Sequence, residues 1–168
     1  MNQSQNDLHN DSATYSHVML VTGARSWDDQ ALMRSTFNDA WRFWGSGHMA
    51  RPLLVCGDAG DGADAMAGRV WRNAGFDTKV VAADWSTRGK KAGLLRNQQM
   101  VNLVAELREQ GSDVLCTAFI DVCRKPRCPK RDDEQLMPAA GGHYSHGTMH
   151  ARAAALKAGI TTIDVLRP

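Results

Sequence analysis

The chain predicts an α/β fold of three layers, in which a mostly parallel five-stranded sheet carries helices on both faces. Two observations support this. Short apolar runs alternate strictly with helix-like segments, and three glycine-rich turns each follow one such run and open one such segment. Strict alternation calls for right-handed crossovers, which place helices over both faces of a parallel sheet. The 168 residues, 43% of them apolar and 23% charged, suffice for a single domain with an ordinary core.

The elements follow in order. Residues 1–16 are polar and aperiodic, and a disordered tail is expected there, with the folded domain occupying 17–168. Residues 17–22 form a β-branched apolar run and hence a first strand. Ser26-Trp27-Asp28-Asp29 has the form of a capping box, Ser26 and Asp29 together satisfying the free amides of a helix that reaches Trp44. Residues 52–56 supply a second strand. Ala63, Ala67, Val70, Trp71 and Ala74 then recur at helical spacing until Gly75 ends the helix. A third strand over 78–82 leads to a long helix over 91–110, stopped by Gly111. The fourth strand is 114–120, the last helix 148–158, stopped by Gly159, and the fifth strand 160–165.

Loop 121–142 breaks the rhythm. It holds prolines beside Cys123 and Cys128, a mixed charge cluster over 130–134 and no apolar periodicity. A loop of that length in a small domain is usually functional or disordered.

Charge and hydropathy narrow the function. A formal net charge of +2, with lysines and arginines scattered rather than striped, gives no support for nucleic acid. No apolar run approaches the roughly 20 residues of a membrane span, and the polar start lacks the features of a signal peptide. A cytoplasmic setting is therefore expected, where Cys56, Cys116, Cys123 and Cys128 are thiols or metal ligands rather than disulfides.

The three turns are the candidate site. The first contains Gly23 and Arg25, the second Gly57, Asp58, Gly60, Gly62 and Asp64, the third Gly147 and Thr148. A glycine turn that opens a helix presents backbone N–H groups at the positive end of the helix dipole, a seat for phosphate or carboxylate. In a parallel sheet all three lie at the carboxyl ends of strands, where open α/β proteins bind ligands. Arg25 is placed to meet phosphate with a bidentate fork. Trp85 stands at a strand end, where an indole stacks on a base, and Lys90, Arg96 and Asn97 form a rim that neutralises phosphate charge. Each feature also has a plainer reading. Asp61 and Asp64 serve equally as cap and first-turn acid of a tight connection, Arg25 as a surface residue, Trp85 as core filler and the rim as a solvated helix face.

Cys123 and Cys128, with His143 and His146 close behind, supply the two thiolates and two imidazoles of a tetrahedral zinc site. A bound zinc would order a loop so poor in apolar residues and fasten it over the ligand edge. The spacing is not that of a familiar finger, and the plain reading is a flexible loop with reduced cysteines. Cys116 and His150 stay open as further ligands, His150 alternatively facing the bound molecule.

These residues carry a resemblance. Val21-Thr22-Gly23-Ala24-Arg25-Ser26-Trp27, the run from Gly57 through Asp64, Ala83-Asp84-Trp85 with Gly89-Lys90-Lys91-Ala92-Gly93 and Arg96-Asn97, and finally Gly147-Thr148, together resemble the YspA branch of the SLOG superfamily. This branch is related to YpsA, and its wider relatives are the Lonely Guy phosphoribohydrolases and the DNA-processing protein DprA. The likeness spans roughly residues 17–165. It implies a Rossmann-like fold that holds a nucleotide or an ADP-ribose-like derivative, and a homodimer. It also implies a limit: the Lonely Guy motif places a catalytic glutamate three residues after its threonine, where this chain has Ala151. Without that carboxylate, stabilisation of an oxocarbenium ion loses its main source.

Three functional classes follow: a nucleotide-binding protein, a nucleoside-phosphate N-glycosidic hydrolase using Asp58, Asp61 or Asp64, and an interaction module using loop 121–142. The stripe Trp41, Phe43 and Trp44 is expected to split between core and dimer contact, because neighbouring helical positions lie about 100° apart.

Overall fold

The structure, a computed structural model, describes residues 15–45, 51–128, 138 and 142–168. Its elements are β1 (His17–Gly23), α1 (Gln30–Phe43), β2 (Pro52–Gly57), α2 (Gly62–Asn73), β3 (Asp77–Val81), the short α3 (Trp85–Arg88), α4 (Ala92–Glu109), β4 (Asp113–Ile120), α5 (His146–Lys157) and β5 (Thr162–Leu166). All strand pairings are parallel, in the order β3-β2-β1-β4-β5. This is the expected Rossmann-like, three-layer α/β architecture.

The sheet is covered on both faces because its central strands are apolar on both. Met19 and Val21 of β1 join Leu54 and Phe119 on the face taken by α1 and α2, against Met33, Phe37, Ala63 and Trp71. Val18 and Leu20 point the other way, with Val55 and Cys116, onto Met100, Val101 and Val104 of α4 and Ala155 of α5. Alternation along one strand thus feeds two separate cores. The edge strand β3 is mostly exposed or half-buried.

Several expectations need correction. Asp29 alone caps α1, its side chain accepting from the Leu32 N–H, and Ser26 is drawn away to Asp121, so the two do not form a capping box. The long helix is preceded by an elbow: α3, capped by the Asp84 side chain, then a 3-10 turn over Gly89–Lys91. α5 begins at His146 rather than at 148, and β5 starts at Thr162 and ends one residue later than expected. The expected tail lies outside the described residues except at its end, where Tyr15 and Ser16 are already tied in. The Tyr15 hydroxyl donates to Asp77, the Ser16 N–H to the Arg51 carbonyl, and the Ser16 carbonyl accepts from Asp113. Gly75, Gly111 and Gly159 end their helices at φ +86°, +107° and +71°, as C-capping glycines should.

The aromatic stripe of α1 also resolves differently. Trp41 stacks on Phe76 with ring centroids 5.0 Å apart and meets Trp71 edge-on, while Trp44 rests on His17. Of these three only Phe43 faces outward, 71% exposed, so neither indole of the stripe calls for a dimer partner. Among the described residues no helix is long and apolar enough to cross a membrane.

Candidate functional site

The strand order reverses direction between β1 and β4, and ligands of such sheets bind outside the carboxyl ends of the strands near that point. Here the edge is spanned by a hydrogen-bonded chain. Arg96, from the first turns of α4, donates through Nη1 to Asp58 Oδ1 over 2.9 Å and lies 4.0 Å from Asp64 Oδ2. Its Nε donates to Asn97 Oδ1 over 3.1 Å, and Asn97 Nδ2 donates to the Gly147 carbonyl over 3.1 Å. The other oxygen of Asp58 accepts from the Ala83 N–H, holding the turn after β3. Two of the three sequence-predicted turns, and the edge of α4, are thereby brought together. Asn97 is no rim residue: it is buried at 3% exposure and acts as a tether.

The first turn joins through backbone rather than through charge. The Ala63 N–H donates to the Ala24 carbonyl, and Gly62, at φ +70°, sits so close to Arg25 that a Cβ there would strike the Arg25 backbone. Gly57 lacks a side chain because the Arg96 guanidinium and Asp64 carboxylate occupy that space, and Gly23 because Ala63 and Phe119 do. These three glycines serve internal packing. Gly60 and Gly147 differ, with nothing within 4 Å of an added Cβ, so their backbone is open to an approaching molecule. Arg25 is exposed, and Trp85 is half-exposed with its indole over Gly93. Beside Arg96 a groove is lined by Asp84, Arg88, Ala92, Leu95, Gln99 and Asn102.

Electrostatics separate the two helix starts at this edge. Asp64, in the first turn of α2, is buried, and burial pushes its carboxyl up to about 6 against the opposing pull of Arg96 and a backbone hydrogen bond from Gly57. Its Oδ1 is buried with no hydrogen-bond partner. Asp58 and Asp61 flank the same turn, so α2 is a poor seat for an anion. The first turn of α5 carries no acid, and the side chain of its N-cap, Ser145, makes no capping bond. Thr148 there is 1% exposed with its Oγ1 unpartnered. Of the expected anion seats, α5 keeps the right polarity.

One residue was missed. Asp121 follows β4 directly and is 4% exposed. It accepts from the Ser26 hydroxyl at 2.7 Å, the Val122 N–H at 2.8 Å, and both Arg124 and Arg167 at 3.2 Å. Burial raises its carboxyl, but those donors outweigh it and hold it below the ordinary value. A carboxylate placed straight after a strand whose last three residues, Ala118, Phe119 and Ile120, are apolar and buried was the available signal.

The metal expectation meets a compact cluster. Cys123 Sγ, Cys128 Sγ and one ring nitrogen each of His143 and His146 all lie within 4.8 Å of one another. Short pairing brings them there: Val122 bridges Tyr144, the Cys123 N–H donates to the His143 carbonyl, and the Ser145 N–H to the Asp121 carbonyl. Cys128 returns through a turn in which Arg127 takes φ +54°, and its sulfur sits 3.4 Å from His146 Nε2. His143 Nε2 is buried with no hydrogen-bond partner. Cys116 is not part of the group. It lies in the α4 and α5 core, and burial pushes its thiol up to about 12. His150 also stands apart from the four, with Nδ1 buried and unpartnered. Much of loop 121–142 lies outside the described residues.

No family model matches the chain. Over 106 residues it is 36% identical to the Gene 61 protein of Mycobacterium phage D29, an alignment covering 60% of this chain and 74% of the phage protein. The chain belongs to the Gene 61 protein family.

Proposed function

We propose that the protein binds a nucleotide or a nucleotide-derived molecule of the ADP-ribose kind at the carboxyl edge of its sheet, with phosphate seated on the first turn of α5. The observation that carries this reading is the open, acid-free start of α5, where Gly147 leaves the backbone approachable and Asn97 fixes its position. Arg96 and the exposed Arg25 supply cationic charge nearby, and Trp85 offers a half-exposed indole for a base. The likeness to the YspA branch of the SLOG superfamily points the same way. It is also what remains of the case for a homodimer, since the aromatic stripe of α1 finds its partners within the chain. Calorimetry with a panel of nucleoside monophosphates, NAD and ADP-ribose tests the reading; binding is expected, and silence at millimolar ligand would end it.

A hydrolytic reading is favoured by one observation, the buried carboxyl of Asp64 with its unpartnered oxygen and raised pKa, the form a general acid takes. Ala151, where the Lonely Guy motif has glutamate, is fully buried and supplies no such group.

We further infer that the metal suited to the cluster is zinc, since two thiolates and two imidazoles complete a closed tetrahedron of the structural kind. This fits a reducing, cytoplasmic setting, and elemental analysis of native protein should give close to one zinc per chain.

A further inference from the structure

We propose that the metal centre is the anchor of the first turn of α5, and so sets how strongly the carboxyl edge holds its phosphate. The second half of this proposal rests on the nucleotide-binding reading above; the first half does not.

The geometry begins with His146, at once a member of the cluster and the first residue of α5. A metal bound through its ring therefore fixes the position from which the helix starts. The carbonyl of the next residue, Gly147, accepts a hydrogen bond from Asn97 Nδ2 of α4. With a metal bound, the turn proposed to seat phosphate would be tied both to the ion and to a side-chain amide. What the metal replaces is also visible. The paired segment contributes few apolar contacts of its own: Val122 is 37% exposed, and Tyr144, itself partly buried, packs against Ala118, Ile120 and Met149. Arg127 holds a left-handed backbone, which is unfavourable for a non-glycine residue. His143 Nε2 is buried without a hydrogen-bond partner, which is unfavourable unless a ligated ion meets it. Four side chains at metal-ligand spacing offset these costs together. When the ion leaves, the hold on His146 falls back on the Ser145 N–H bond to the Asp121 carbonyl, its ring contact with His143 and the Asn97 tether on Gly147.

The remainder of α5 is secured independently. Ala151 and Ala155 are fully buried, Ala155 in the core with Met100 and Val104 of α4, and Arg152 forms a two-pronged pair with Asp164 at 2.7 Å. Loss of metal should therefore release the helix start and leave its second half in place. A ligand that requires the ordered start then binds in proportion to how often that start is ordered, so a turn ordered one-tenth of the time weakens affinity about tenfold.

The test uses full-length protein in zinc-loaded and chelator-stripped form, with backbone hydrogen exchange followed along α5 and AMP as the nucleotide probe. Cobalt substitution gives an independent view of the cluster through the visible bands of a tetrahedral thiolate site. The expected result is the cobalt spectrum, faster exchange on stripping at 149–151, whose N–H groups close the first turn, as the Met149 N–H does on the Ser145 carbonyl, with 152–157 unchanged, and AMP affinity lowered about tenfold and restored by zinc. Absence of the cobalt spectrum overturns the proposal, as does identical exchange at 149–151 in both forms. Loss of protection along the whole chain also overturns it, because the ion would then support the entire fold rather than one turn. Should AMP fail to bind either form, the exchange arm still decides the coupling, and the failure falls on the nucleotide-binding reading alone. His146→Ala repeats the exchange measurement without chelator and should match the stripped protein.

Discussion

Arg96 donates from Nη1 to Asp58 Oδ1 over 2.9 Å, joining the helix layer of α4 to the turn after β2 across the top of the sheet. The same guanidinium is the cation nearest the buried Asp64. Replacing it with an uncharged stem, Arg96→Met, leaves two carboxylates facing one another without a counter-charge. Stability at neutral pH should fall by about 1–3 kcal/mol, and the Asp64 carboxyl, which Arg96 pulls down, should titrate higher still. Denaturant unfolding and carboxyl-carbon NMR titration check the two halves; an unmoved Asp64 midpoint would show that Arg96 acts on Asp58 alone.

Asp64 also gives the fold a pH signature. Its carboxyl titrates near 6 in the folded protein against 3.8 ordinarily. Folding thus favours the protonated form: the stability it contributes is fully present below about pH 3.8 and is lost as pH rises through about 6. The difference is roughly 3 kcal/mol. Asp64→Asn, which imitates the protonated state, should therefore be more stable than the parent at about pH 8 and lose that advantage near about pH 4. An equal advantage at both would rule out the charge as its cause. Asp121 runs the opposite way, since its depressed carboxyl contributes stability above the ordinary carboxylate value that is lost as pH falls through the folded one.

The glycines should separate into two kinds under mutation. Gly62→Ala forces a side chain into a left-handed backbone and against Arg25, and should destabilise the protein by about 1–3 kcal/mol. Gly147→Val meets open space and should change stability by well under that, yet abolish nucleotide binding by blocking the backbone. Melting curves and calorimetry on both variants decide the matter. If Gly147→Val binds like the parent, α5 is not the phosphate seat.

No appreciable release of adenine from AMP is expected, because Ala151 is buried where a phosphoribohydrolase would carry its glutamate. Chromatography of AMP incubated with the protein is sufficient. Turnover at an ordinary enzymatic rate that disappears in Asp64→Asn would move the protein to the hydrolytic reading.

What the sequence could convey was set by how locally each feature is determined. The central strands β1, β2 and β4 were legible because burial on two faces leaves a nearly continuous apolar run, and the helix ends at Gly75, Gly111 and Gly159 because a left-handed C-cap has its own residue preference. Asp58, Asp64, Arg96, Asn97 and Gly147 were singled out, and they do meet, but the bonds among them were not foreseeable. Arg96 reaches Asp58 across 38 positions of sequence, and Asn97 reaches Gly147 across 50. For the same reason Ser26 read as a cap when its true partner, Asp121, lies 95 positions away. Equal-looking glycines proved unequal because what decides their role is the neighbour that fills or leaves the missing side chain's space.

The strand order has a consequence for how the chain comes into being. β1 lies at the centre, in register with β2 from Pro52 and with β4 from Asp113. On the ribosome β1 emerges before both, gains β2 first, and waits for β4 while α2, β3 and α4 are made. At roughly 5–20 residues per second that interval is on the order of ten seconds. Throughout it, one side of the innermost strand presents its unpaired amides and carbonyls and its apolar side chains to whatever is near, and the nascent half-sheet is the species most exposed to aggregation and most in need of a chaperone.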